Sequence, residues 1–210
     1  MEKNLEKYIK EHTTPEDKVL EDLYRQTNLY VVNPNMVSGH IQGKLLEMFS
    51  CMIHPLRILE IGTYTGYSAI CLSRGLKSGG RLHTIEINDE LKEMSSRYFD
   101  LAGVSDKVIM HTGRAQDVVP SLDFSFDLVF IDGDKREYCE YYDLVFEKVR
   151  KGGFIIADNV LWGGKIEDKD AMKDPQTRGV VNFNEMIRND NRVEKILLAV
   201  RDGLMIIRKK

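Results

Sequence analysis

From Arg57 onward the chain alternates short apolar runs with stretches of helical periodicity, and this alternation confines it to few folds. Strand-like runs lie at 57–61, 81–87, 108–111, 126–132 and 153–158, and helical patterns fill the gaps at 66–76, 89–102, 115–121 and 135–150. Strands separated by helices pair in parallel, because the chain must cross back over the sheet before each new strand begins. After a further helical pattern at 178–190, two final runs at 194–200 and 203–208 differ. Only Arg201-Asp202-Gly203 stands between Val200 and Leu204, so these two strands must form an antiparallel hairpin. The predicted architecture is an α/β, Rossmann-like sheet of seven strands flanked by helices, with one strand antiparallel. A plain dinucleotide-binding sheet would have six parallel strands.

Residues 1–56 carry helical patterns only and are predicted to cover a single domain spanning 1–210, with the sheet core at 57–210. Helices are expected over 2–12 and 15–29. In the second, Val19, Leu20, Leu23, Tyr24 and Thr27 form one apolar stripe. Thr14 before Pro15 fits an N-cap with proline in the first turn, and Asp17 completes a loose capping box. Asn33-Pro34-Asn35 reads as a loop, and a helix from Gly39 to about Ile53 presents Ile41, Leu45, Leu46, Met48 and Phe49. The sheet has helices enough without residues 1–30, so these are expected to serve a homodimer contact or the substrate entrance and to be dispensable to the core.

A net charge of −3 gives no general attraction to nucleic acid or anionic membrane. No run approaches the ~18 apolar residues of a membrane helix, and the first residues lack the apolar stretch of a signal peptide. A cytoplasmic protein is expected. Cys51, Cys71 and Cys139 form no CxxC pair, and they read as small buried hydrophobes.

In an open parallel sheet, ligands bind outside the carboxyl ends of the strands, at the switch in strand order. Three strand ends carry chemistry there. The first is Glu60-Ile-Gly62-Thr63-Tyr-Thr-Gly66-Tyr-Ser68, with glycines spaced G-x-x-x-G and an acid ahead of them. A pyrophosphate would need G-x-G-x-x-G and no carboxylate. An acid suits an ammonium or sulfonium, and Ser68 could hold a carboxylate, so the ligand reads as a zwitterionic amino acid joined to a nucleoside. A tight structural turn is the plainer alternative. Glu86, 24 positions after Gly62, ends the second strand, where an acid can accept from both ribose hydroxyls or simply face solvent. Gly113 and Ala115 are small enough for a flat base to lie against the backbone, or they only start a helix.

The second and third ends supply Asp132, Asp158 and Asn159. An oxygen-only set suits Mg²⁺, with Mn²⁺ or Ca²⁺ admissible, and not zinc. Three protein oxygens leave half an octahedron for substrate and water; otherwise the acids cap loops. Lys135 lies in the first turn after Asp132. Beside a divalent cation a lysine is pushed toward its neutral form and toward service as a base, though surface lysines are common. Trp162 could wall an aromatic substrate or only pack its loop.

Together these motifs resemble the cation-dependent O-methyltransferases, the family of the caffeoyl-CoA and catechol enzymes, over about residues 33–210. The likeness rests on Leu59 to Ser68, Phe130-Ile-Asp132-Gly-Asp134-Lys135, Asp158-Asn159-Val-Leu-Trp162 and Asp202-Gly203-Leu, in that order. The resemblance implies the class I methyltransferase sheet and S-adenosylmethionine as cofactor. Met36 and Val37 would close over it, and Glu60, Gly62, Thr63 and Ser68 would hold its methionine end. Glu86 would take the ribose, Ala115 the adenine edge, and Asp132 and Asp134 would complete the cofactor side. Asp132, Asp158 and Asn159 would bind the cation, Lys135 would be the catalytic base, and Trp162 and Gly163 would meet the substrate. The chain departs from the family at Gly133, where alanine or a bulkier residue is usual, and at Arg114, where Asp is frequent.

The expected reaction is methyl transfer to a hydroxyl of an aromatic vicinal diol. A tRNA 5-hydroxyuridine acceptor is the first alternative, against which the lack of a basic stripe counts. An NAD(P)-binding oxidoreductase is the second, and the glycine spacing and the hairpin disfavour it.

Overall fold

The computed structural model describes residues 3–168 and 170–210. Its centre is a seven-stranded sheet in the order β3-β2-β1-β4-β5-β7-β6. The strands are β1 (Arg57–Ile61), β2 (Arg81–Glu86), β3 (Val108–Thr112), β4 (Phe126–Ile131), β5 (Val149–Asp158), β6 (Val193–Leu198) and β7 (Leu204–Lys209). The first five pair in parallel, and β7 runs antiparallel to both β5 and β6. Strand order reverses between β1 and β4, so the crevice of this sheet opens above their carboxyl ends.

Alternate residues of the central strands point to opposite faces, and each face has its own core. Leu59, Ile61, Val129 and Ile131 pack under Tyr138, Tyr142 and Phe183 on one side. Ile58, Leu82, Leu128 and Phe130 pack with Leu23, Leu46 and Leu72 on the other. The covering helices are α1 (Lys3–Glu11), α2 (Lys18–Tyr30), α3 (His40–Ile53), α4 (Tyr67–Ser73), α5 (Lys92–Leu101), α6 (Ala115–Ser121), α7 (Tyr138–Phe146) and α8 (Pro175–Asn189). None of them is long and apolar enough to cross a membrane.

Several boundaries differ from the sequence reading, each for a local reason. β5 begins at Val149 rather than 153, because a register irregularity opposite Phe126–Leu128 lets the polar stretch 150–152 join the strand. β6 stops at Leu198 because the residues after it leave the ladder. The Gly203 and Asp202 carbonyls accept from Val160 and Leu161, which ties the hairpin turn to the segment beyond β5. α2 is capped by Asp17, whose carboxylate accepts from the N–H groups of Val19 and Leu20, and not by Thr14. Asp17 also pairs with Arg74, and the Thr14 carbonyl instead binds the His40 ring. α8 begins at Pro175 on an Asp174 cap, a cap-plus-proline signal that the periodicity at 178–190 had hidden. Within 33–35 the loop contains a single 3-10 turn, Pro34–Met36. The helix expected over 2–12 is observed from Lys3, and its first residue lies outside the described ones.

The expectation that residues 1–30 are dispensable to the core is overturned for α2. Leu20 and Leu23 are buried in the sheet's second core, Thr27 donates to Thr65 Oγ1 at 3.1 Å, and Asp22 accepts from Tyr98 at 2.6 Å. α1, by contrast, is largely exposed. Burying a leucine contributes roughly 1.5–3 kcal/mol. A chain cut at Asn33 is therefore expected to lose most of its thermal stability, while one cut after His12 keeps it. Melting curves of the two truncations check this, and equal stability would contradict the assignment of α2 to the core.

Candidate active site

The crevice is a cavity of about 830 Å³ above the ends of β1, β2, β4 and β5. Its floor is the turn after β1. Gly62 has φ +101°, and a Cβ there would lie 2.3 Å from the Asp132 carbonyl oxygen, so the two strand ends approach this closely only with glycine. Tyr64 also sits in the left-handed region, and its N–H donates to Glu86 Oε2 at 2.7 Å while Asn88 N–H donates to Oε1 at 2.9 Å. These bonds hold the Glu86 carboxylate at the wall. The Tyr64 hydroxyl bonds the carbonyls of Val32 and Asn33, tying the segment with Met36, Val37 and Ser38 against the cavity.

Glu60 departs from the expected contact. It is fully buried and lies behind the lining formed by Gly62, Thr63 and Ser68. Thr84 donates to its Oε2, and Oε1 has no hydrogen-bond partner. Burial pushes Glu60 up to about 8, against the Ser68 and Thr84 hydroxyls and with the help of Asp132 and Glu86. Burial thus favours the neutral carboxyl in the free protein.

The sign of the pH effect follows. A folded-state pKa above the ordinary value means that the fold retains a proton which the unfolded chain releases. Stability from Glu60 is present below about 4.5 and is lost as pH rises through about 8. Glu60→Gln stays neutral throughout. It is expected to gain on the wild type, without cofactor, by at least ~1 kcal/mol or ~2–4 °C between pH 5 and 8.5. Melting temperatures at the two pH values check this. A constant difference would show that Glu60 is ionised in the free protein.

On the β3 side, Gly113 and the buried Ala115 form a flat stretch of lining. Gln116, not singled out by the sequence reading, adds a buried Oε1 with no partner, while its Nε2 donates to Glu137 at 3.0 Å. A base edge bearing an amino group would satisfy that oxygen. Asp134 lines the cavity, and its carboxylate also caps the 3-10 turn at Arg136 N–H and pairs with the Arg136 guanidinium.

The acidic end is built by the β4–β5 pairing. Ile131 lies opposite Ala157, which sets Asp132 beside Asp158 across 26 residues of sequence. Asp158 is 3% exposed; its Oδ1 accepts from Asn159 N–H at 2.7 Å and its Oδ2 from Gln42 Nε2. Burial first, then the Asp132 carboxylate, pushes Asp158 up to about 7, with Lys135 opposing. Lys135 is itself buried, and its Nζ donates to Asp132 Oδ1 at 2.8 Å and to the Tyr138 hydroxyl at 2.6 Å. Tyr138 in turn donates to the Asp158 carbonyl at 3.1 Å, which closes a small network. No cluster of three His, Cys, Asp or Glu able to hold a metal is found among the described residues. The donor set is two carboxylates and the Asn159 amide. Two crowded carboxylates share the single charge of Lys135, and this oxygen-only donor set fits a hard divalent cation.

Trp162 stands on the cavity wall, with a buried Nε1 that has no partner. Gly163 does not line the cavity, because its N–H donates to Asp202 Oδ1 and anchors the loop to the hairpin turn. Gln42 and Arg201 are two site residues that the sequence reading missed. Arg201 Nη1 donates to Gln42 Oε1 at 3.0 Å, so an amide of α3 bridges the hairpin turn to Asp158.

A family model described as O-methyltransferase matches residues 10–210. The chain belongs to the O-methyltransferase family. It is 35% identical over 173 residues to a catechol O-methyltransferase of Niastella koreensis, covering 80% of this chain and 75% of that one. It is 32% identical over 187 residues to caffeoyl-CoA O-methyltransferase 1 of Eucalyptus globulus, covering 83% and 75%. Among solved structures, the O-methyltransferase TomG of Streptomyces achromogenes, in complex with S-adenosylmethionine, superposes with a TM-score of 0.90 at 32% identity over 100% of this chain and 99% of that one. An O-methyltransferase of Bacillus cereus, in complex with S-adenosylhomocysteine, gives 0.88 at 30% over 99% and 97%. This protein is an S-adenosylmethionine-dependent O-methyltransferase with the class I sheet, and the oxidoreductase alternative falls away.

Proposed function

We propose that this O-methyltransferase requires a divalent cation and methylates one hydroxyl of an aromatic vicinal diol. The observation that carries the reading is the convergence of Asp132, Asp158 and Asn159 with the buried Lys135 at one end of the cofactor crevice. Names of relatives that act on catechol and caffeoyl-CoA support the same acceptor chemistry.

Asp132, Asp158 and Asn159 would hold the cation, Mg²⁺ by preference. When bound it supplies the positive charge that chelates two adjacent oxygens and makes a phenolic hydroxyl more acidic. Ser68, on the lining with Gly62 and Thr63, would hold the methionine end of the cofactor, with Glu60 behind them supplying the negative charge. Glu86 would bind the ribose, and Ala115 with Gln116 the adenine edge. Met36 and Val37 cover the crevice and exclude water. Trp162 walls the ring of the acceptor. Lys135 Nζ, fixed by Asp132 and Tyr138, would shed its own proton to solvent as a bound cation takes over the Asp132 carboxylate, and would then take the acceptor's hydroxyl proton; S-adenosylmethionine, when bound, would supply the methyl group to the freed oxygen. Most of the rate comes from this positioning, since holding two reactants in line removes roughly 7–11 kcal/mol of barrier.

The test is methyl transfer from labelled cofactor to a panel of catechols and, in parallel, to hypomodified tRNA. Monomethyl ethers of catechols are the expected product. Label appearing only in tRNA would replace this acceptor with a hydroxylated uridine, and transfer to monophenols as readily as to diols would remove the chelation.

A further inference from the structure

We propose that the methyl acceptor carries a carboxylate and that Arg201 pairs with it; this rests on the vicinal-diol reading above. Four cationic side chains line the cavity: Arg114, Lys135, Arg136 and Arg201. Three of them have a carboxylate of the protein as partner. Arg114 faces Glu137 at 3.6 Å, Lys135 holds Asp132 at 2.8 Å, and Arg136 pairs with Asp134. Arg201 has no such partner within 4.0 Å among the described residues; its hydrogen bonds go to neutral oxygens, Gln42 Oε1 at 3.0 Å and the Val37 carbonyl at 3.5 Å. The neighbouring Asp202 also lines the cavity, but its carboxylate forms no ion pair with Arg201 within 4.0 Å and accepts instead from Gly163 N–H.

The backbone adds a second observation. Arg201 has φ +50°, in the left-handed region where a side chain costs conformational energy. The tight turn between β6 and β7, closed by the Gly203 N–H on the Val200 carbonyl, imposes this conformation and so fixes where the Arg201 side chain leaves the backbone.

Placement supplies the third. A single amide, that of Gln42, separates the Arg201 guanidinium from Asp158. The Arg201 guanidinium therefore lines the same cavity as the acidic trio and Trp162, one amide away from Asp158. A ring whose two hydroxyls meet the acidic end presents a substituent to Arg201. A carboxylate is the group that matches the fork of a guanidinium. The site would thus hold the ring with its two hydroxyls on the acidic trio and its carboxylate on Arg201.

The experiment compares 3,4-dihydroxybenzoate and caffeate with their neutral amides, in the wild type, Arg201→Met and Arg201→Lys. It reads kcat/KM and, by calorimetry in the presence of S-adenosylhomocysteine and Mg²⁺, dissociation constants. The wild type is expected to favour at least one acid over its amide by ~10-fold or more in both readouts. In Arg201→Met this preference should collapse toward one, and Arg201→Lys should keep part of it. A role confined to pinning Gln42 and Val37 would lower acid and amide equally and leave the ratio where it was. That result, or a wild type indifferent to the carboxylate, overturns the pairing and leaves the diol reading intact. A wild type that methylates neither these probes nor unsubstituted catechol overturns both.

Discussion

Lys135→Met is expected to lower kcat for catechol methylation by ~10²–10⁴-fold, the share that a positioned base contributes. The variant should bind S-adenosylmethionine within a few-fold of the wild type. Lys135 is 6% exposed and anchored by Asp132 and Tyr138, so its amine cannot be replaced by a solvent-borne base without rearrangement. Methionine keeps the length and the apolar stem while removing the charge and the donors. The loss should shrink for catechols made acidic by electron-withdrawing groups, whose hydroxyl ionises with less help. A loss of equal size on acidic and ordinary catechols would assign Lys135 to orientation or electrostatics instead. Rates close to wild type on every acceptor would leave it only its ion pair with Asp132.

Asp158→Ala is expected to remove cation binding and with it at least ~10³-fold of the activity, since a Lewis acid at a developing oxyanion is worth several kcal/mol. The fold should survive. Burial and the Asp132 carboxylate both disfavour the ionised form of Asp158, and its removal relieves that crowding. The cost is an unpaired Gln42 amide and Asn159 N–H, each of the order of 1–3 kcal/mol if no other partner is found. Mg²⁺ should raise the melting temperature of the wild type and not that of the variant. Activity in the variant that still responds to Mg²⁺ would move the cation elsewhere.

How far the sequence could be read depended on whether a feature was local. The parallel sheet followed from strand runs separated by helical patterns, and the reversed strand from the three residues between Val200 and Leu204. Asp132, Asp158 and Lys135 were legible because strand ends converge at a switch point whatever fills the rest of the chain. The start of β5 was not, because Arg150-Lys151-Gly152 is polar and joins the strand only through the irregular register with β4. Asp17 won the cap of α2 from Thr14 through Arg74, a partner 57 residues away. Gln42 and Arg201 carry no motif, and their meeting at Asp158 is a tertiary event joining α3, the hairpin turn and β5. Glu60 was recognised as an acid before a glycine turn, but the pleat that turns it toward Thr84 places it behind the wall. Gly163 stands next to Trp162 in sequence, but its N–H turns to Asp202 and away from the cavity that Trp162 lines.

The most direct test of the cation-dependent reading is methyl transfer from labelled S-adenosylmethionine to catechol by protein stripped with EDTA, before and after Mg²⁺ is added back. The account predicts negligible transfer in EDTA, full recovery on titration with Mg²⁺, and unchanged binding of S-adenosylhomocysteine throughout. Undiminished turnover by the stripped protein in excess EDTA would contradict it.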